Sequence, residues 1–186
     1  MRLNDLLITS FEYKNREYSI DLSFDIVLDI FDVLKDDELR DHEKAEICLE
    51  LLLDEQPKEN LIELWNYVYE NFIKIETRQA IQYDLKGNPM PQLEEEDSDP
   101  VLDIEQDAEY IYSSFMQAYN INLFKEQGKM HWHEFKALLN GLPSNTIMQR
   151  IIQIRVWKPS KHESQEYKES MRRLQKIYAL DNIEFE

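Results

Sequence analysis

"GKMHWHEFKALLNGLP", residues 128–143, sets His131 and His133 on either side of Trp132 and directly before Glu134. Two readings compete here, and they lead to different proteins. An extended His-x-His beside a carboxylate is the beginning of a metal site, whereas a helix is a piece of core. Successive helical residues turn by about 100°, so side chains two apart point about 200° from each other, and two ligands on one helix need a spacing of three or four. Trp132, Phe135, Leu138, Leu139 and Leu142 recur at helical spacing, and Ala137-Leu138-Leu139 favours helix. The pattern therefore predicts a rod with diverging imidazoles and a packed apolar edge. The alternative is a metal-dependent enzyme using His131 and His133. His42 and His162 have no partner at ligand spacing.

Outward from this stretch, the punctuation is that of a helical protein. The three Gly and six Pro all fall between apolar-periodic runs, where the costliest helix-interior residues do least harm. "FEYKNREYSIDLS" (11–23) alternates aromatic and polar residues around Lys14-Asn15-Arg16-Glu17 and predicts a β-hairpin. Ser23 is placed to cap a helix over 24–34, whose only polar residues, Asp25, Asp29 and Asp32, form one wet stripe. Asp41 opens a second helix with Ala45, Cys48, Leu49 and Leu52 on its apolar face. Pro57 suits the first turn of a third, along which Leu61, Trp65, Val68, Phe72 and Ile75 recur.

Residues 83–103 lose periodicity, gather Gly and Pro, and carry an acidic run, which predicts a linker. Beyond it, Ala108, Ile111, Tyr112, Phe115 and Tyr119 line one helix face. A short connection ending in Gly128 leads to the helix of the opening stretch, which Gly141 and Pro143 stop; Ser144 is placed to cap the next, and Pro159 ends it. Tyr167, Met171, Leu174 and Tyr178 align on the last helix. The expected architecture is mainly α, with six to seven helices in two lobes: a hairpin-plus-helix lobe over 1–82, an acidic linker over 83–103, and a helical lobe over 104–186.

Charge narrows the function. The net charge is −17, yet residues 131–186 hold nine Lys and Arg against seven Asp and Glu. Most of the surface would repel a polyanion, so nucleic acid is not the expected partner. One cysteine, Cys48, cannot form an internal disulfide, which fits a reducing compartment. No apolar run approaches the ~20 residues that cross a bilayer, and the N-terminus has too short an apolar run for a secretion signal. The expectation is a soluble protein with no membrane partner and no cofactor.

Other candidate sites are weaker than they look. From Asp97, calcium-loop positions five, six and twelve hold Val101, Leu102 and Ala108, which supply no ligands. Asp103 and Asp107 are expected as solvated charges near a helix N-terminus. Cys48 has no base on its helical face and is expected in the core. "MRRLQK" with Lys168 and Lys176 makes a basic helix. It could bind RNA, a membrane surface or an acidic segment. Its expected state is a solvated face with Glu169 paired to Arg172 or Arg173, and docking against the acidic N-terminal lobe, its own or a neighbour's, is the second choice.

Three pieces, "DAEYIYSSFMQAYNINL", "HWHEFKALLNGLP" and a late "YAL", together resemble the gene-product-fifteen family of tailed-phage proteins from Gram-positive hosts. An N-terminal helix like "FDIVLDIFDVLKDDEL" and an acidic middle extend the likeness. Asp107, Ile111, Tyr112, Phe115, Trp132, Phe135, Leu138, Leu139, Gly141 and Leu142 carry it, as packing or partner-binding residues. The chain departs from the family at His133, where a second Trp is expected, and at Asn120-Ile121-Asn122, where Gly and Asp are commoner. The resemblance implies a non-catalytic tail-assembly chaperone that transiently binds the tape-measure protein, and with it the major tail protein, in the host cytoplasm. A homo-oligomer is compatible with that role, and a minor structural component of the virion tail is the alternative.

Overall fold

The hairpin forms where the alternation places it. In the computed structural model, which describes residue 4 and residues 6–55, 57, 60–74 and 101–181, β1 (Ser10–Tyr13) pairs antiparallel with β2 (Arg16–Ser19). Only Lys14 and Asn15 make the turn, both left-handed at φ 49° and 62°, as a two-residue turn matched to strand twist requires. Arg16 and Glu17 belong to β2. Phe11 and Tyr18 sit opposite each other, stacked at 5.5 Å, and both are buried.

Helix α1 (Phe24–Lys35) buries Phe24, Val27 and Ile30 and turns Asp29 and Asp32 to solvent. Ser23 is its N-cap residue, but the hydroxyl donates to Asp21 at 2.7 Å instead of capping. Helix α2 (Asp41–Leu52) buries the expected Ala45, Cys48, Leu49 and Leu52. Its start is fixed by Arg40, whose backbone N–H donates to Glu43 at 2.9 Å. Helix α3 (Leu61–Val68) begins later than Pro57, because the Asn60 side chain caps it by accepting from the Ile62 N–H at 3.1 Å. The chain then widens into a π turn, Tyr69–Ile73. Ile75 and the expected linker up to residue 100 lie outside the described residues.

Helix α4 (Ala108–Tyr119) buries Ile111, Ser114 and Phe115, while Ala108 is exposed rather than on the packed face. Asn120 terminates it in the left-handed conformation, φ 55°. Asn tolerates that geometry better than other non-glycine residues. A 3₁₀ turn, Leu123–Lys125, leads to α5 (Trp132–Asn140). Helix α6 (Ile147–Arg155) is capped at Thr146, not Ser144, and ends before Pro159 is reached. The Thr146 hydroxyl donates back to Pro143 O, and the free Met148 N–H is satisfied instead by the buried Ser114 hydroxyl of α4 at 3.1 Å. Helix α7 (Gln165–Ile177) starts at Ser164, whose hydroxyl accepts from the Tyr167 N–H. The fold is mainly α, with seven α-helices among the described residues.

The chain forms two compact units, and they are not the expected sequential lobes. The first comprises Met1–Glu76 with Leu123–Asn140, and the second Thr77–Asn122 with Gly141–Glu186. The expected lobe over 104–186 is therefore discontinuous: its α5 segment belongs with the hairpin and α1–α3. Aromatic packing is the reason. Phe135 of α5 stacks on Phe24 of α1 at 5.0 Å, and Trp132 meets Phe31 edge-on at 5.7 Å.

Candidate functional site

Residues 128–135 are held by backbone bonds as well as rings. The Gly128 N–H donates to the Asp25 carboxylate at 2.9 Å. Phe24 N–H donates to Met130 O at 3.0 Å and Trp132 N–H to Leu22 O at 2.7 Å, giving a single antiparallel bridge between Ser23 and His131. Trp132 is fully buried, stacked on Phe135 at 5.6 Å, and its indole N–H donates to Ile73 O at 3.1 Å. A buried indole with its one donor satisfied contributes its full apolar area without a polar penalty.

The histidines do not diverge. Their ring centroids lie 5.1 Å apart with planes tilted by 32°. The helical-wheel expectation fails because only His133 is helical, while His131 precedes α5 in the N-cap position. From there the His131 Nδ1 accepts the backbone N–H of His133 at 3.1 Å. That leaves the ring proton on Nε2, which donates to Ile8 O at 3.2 Å. Glu134 closes the other half, its Oε2 accepting the His131 N–H at 3.2 Å. His-x-x-Glu here acts as Ser-x-x-Glu does in a capping box. Both nitrogens of His131 are committed, so neither lone pair faces an ion. Among the described residues no group of three or more His, Cys, Asp or Glu lies where it could hold a metal. His133 is held neutral, its pKa pushed down to about 4 by burial first and then by the charge of Lys136.

In the second unit the reactive-looking group is Asp107, and it is not solvated. It is 1% exposed and accepts a bidentate pair from Arg155 at 2.6 and 2.7 Å. The same guanidinium donates through Nε to Tyr178 O at 2.7 Å and through Nη1 to Val101 O at 3.1 Å. One buried fork thus ties together the N-terminus of α4, the C-terminus of α6, the residue after α7, and residue 101. Asp103 is half-buried and caps the Glu105 and Gln106 N–H groups. The missed residue is Arg155. Its signal was present: Met148, Ile151 and Arg155 are spaced i, i+3, i+7 on the one buried face of α6.

Cys48 is fully buried on α2, and burial pushes its thiol up to about 12, so it stays protonated and inert. The ten family-like residues split between units. Trp132 and Phe135 are buried and Leu138 and Leu139 half-buried in the first; Asp107, Ile111, Phe115 and Leu142 are buried, Tyr112 half-buried and Gly141 exposed in the second. Along α7, Arg172, Arg173 and Lys176 are exposed. Glu169 accepts from Gln165 at 3.0 Å, and among the described residues no ion pair joins it to Arg172 or Arg173. Among the described residues no helix is long and apolar enough to cross a membrane.

A protein-family model described as Bacteriophage Gp15 protein matches residues 3–180. No curated protein and no solved structure matches the chain.

Proposed function

This chain belongs to the bacteriophage Gp15 protein family, and from that premise we propose that it is a non-catalytic chaperone of tail assembly, transiently binding the tape-measure protein in the host cytoplasm. The observation that carries the reading is a combination on its surface. Strong acidity, net −17, coexists with large exposed apolar side chains on or beside short helical elements: Phe124 at 71% exposure and Ile62 at 43%. A tape measure is a very long helical chain whose apolar stripes aggregate until tube subunits coat them. Exposed aromatic and aliphatic side chains give such stripes a place to bind, and the acidic remainder keeps the complex dispersed. Polymerising major tail protein then displaces the chaperone.

The fate of the polar residues supports binding over chemistry. His131 is spent on a helix cap, Asp107 on an internal ion pair, and Cys48 is a buried thiol. Co-expression with the tape-measure protein of the same genome is the test. The expected result is a soluble complex, and a tape measure equally soluble and unbound without this chain defeats the proposal. Mass spectrometry of purified virions separates the rival role, because a retained tail component is stoichiometric and a chaperone is not.

A further inference from the structure

Two helices of this chain carry opposite charge on exposed side chains, Asp29 and Asp32 on α1 and Arg172, Arg173 and Lys176 on α7. On α1, Asp25, Asp29 and Asp32 fall within a sector of about 60° at helical spacing, with Asp36, Asp37 and Glu38 following directly. Asp25 is used by the Gly128 N–H and Asp36 by the Glu38 N–H, but Asp29 and Asp32 are exposed and have no partner among the described residues. Asp32 and Asp36 also stand at the C-terminal end of α1, where the helix dipole disfavours negative charge. Residues 24–55 hold twelve Asp and Glu against three Lys and Arg.

Helix α7 is the complement. Residues 150–176 hold eight Lys and Arg against three Asp and Glu. Arg172, Arg173 and Lys176 project from α7 without a carboxylate partner among the described residues, and the aliphatic Ile177, 60% exposed, lies one turn beyond Arg173. A charged stripe alone is a solvated face. A charged stripe beside an exposed aliphatic side chain has the composition of a contact, with a small dry centre and a steering rim.

We propose that the outer face of α7, with Arg172, Arg173, Lys176 and Ile177, docks on the acidic stripe of α1, centred on Asp29 and Asp32, in a second copy of this chain. The occupant is a second copy because the complementary acidic face is present on every molecule at equal concentration. Nucleic acid is the other polyanion that could seek α7, and its binding there is one outcome of the test. The contact joins two different patches, so it is head-to-tail, and copies add into a ring or a short open chain.

Sedimentation velocity of the full chain at low (about 0.01 M) and high (about 1 M) salt tests this, since screening shortens from about 30 Å to about 3 Å between them. The expected result is concentration-dependent oligomers at low salt that dissociate at high salt. Arg172→Glu/Arg173→Glu/Lys176→Glu, and separately Asp29→Lys/Asp32→Lys, should each weaken self-association by at least about tenfold. Mixing the two variants should restore it, because each reversed face then meets a reversed partner. These positions are exposed, and circular dichroism checks that the variants fold. A monomer at every salt concentration, oligomers indifferent to salt and to both reversals, or failure of the mixture to associate overturns the proposal. So does a chain that stays monomeric while α7 binds a short DNA duplex.

Discussion

Arg155 and Asp107 lie 48 positions apart in sequence and meet as a two-pronged ion pair inside the second unit, with side chains 4% and 1% exposed. The pair organises the unit because the guanidinium also holds the carbonyls of Tyr178 and Val101. Removing one partner leaves the other charge buried and unpaired. Asp107→Ala is expected to cost about 3–5 kcal/mol in urea unfolding. Arg155→Lys should cost comparably, because an ammonium cannot reproduce a planar fork that reaches four acceptors. A loss below about 1 kcal/mol for both would show that water enters and solvates the pair.

What the sequence made legible follows from the range of the forces involved. Hairpin and helices are local, and the alternation at 11–18 and the period along 24–34 announced them, whereas the caps at Asn60 and Thr146 lie a few residues from the positions that composition alone favours. Arg155 pairs across 48 positions, so its i, i+3, i+7 place on a buried face marked it as unusual without naming Asp107. The same limit hid the grouping of α5 with α1, since the Phe24–Phe135 stack joins residues far apart in sequence. His131 escapes the helical wheel for a different reason: it lies one residue before the start of α5, where the backbone does not follow helical geometry.

The His131 cap predicts a graded mutational series. His131→Ala removes both the acceptor for the His133 N–H and the tether to Ile8 O, and should cost about 1–2 kcal/mol. His131→Asn restores the acceptor and should recover part of that loss. Zinc added in excess should leave the melting temperature of the wild type unmoved, because both ring nitrogens are in use. A melting temperature raised by zinc and lost in His131→Asn would return the stretch to a metal-binding role.

The left-handed residues give predictions of opposite sign. Asn120→Ala places a Cβ-bearing residue without a compensating side chain at φ 55° and should cost about 1 kcal/mol, whereas Asn120→Gly should be neutral or mildly stabilising. In the hairpin, Lys14→Asn/Asn15→Gly installs the favoured pair for a two-residue turn and should raise stability by up to about 1 kcal/mol. Thermal melts of the three variants check both sites. Equal effects of Ala and Gly at position 120 would show that the αL geometry is not what selects Asn there.

Acid should act on His133 and on Glu43 in largely separate windows. His133 has its pKa lowered from the ordinary 6.5 to about 4, mainly by burial, so between those values the unfolded chain binds more protons than the folded one. Stability therefore rises with pH across that interval, is complete above about 6.5, and is lost as pH falls toward 4. Glu43, lowered from 4.5 to about 2 by its hydrogen bonds from Arg40, loses its contribution only below the His133 window, as pH falls from about 4.5 through 2. His133→Gln cannot titrate, so the difference in urea midpoint between pH 7 and pH 5 should shrink relative to wild type, with the loss below pH 4 retained. An unchanged difference between pH 7 and pH 5 would mean that His133 takes up its proton in the folded protein as readily as in the unfolded chain, and that its burial exerts no penalty on the charge.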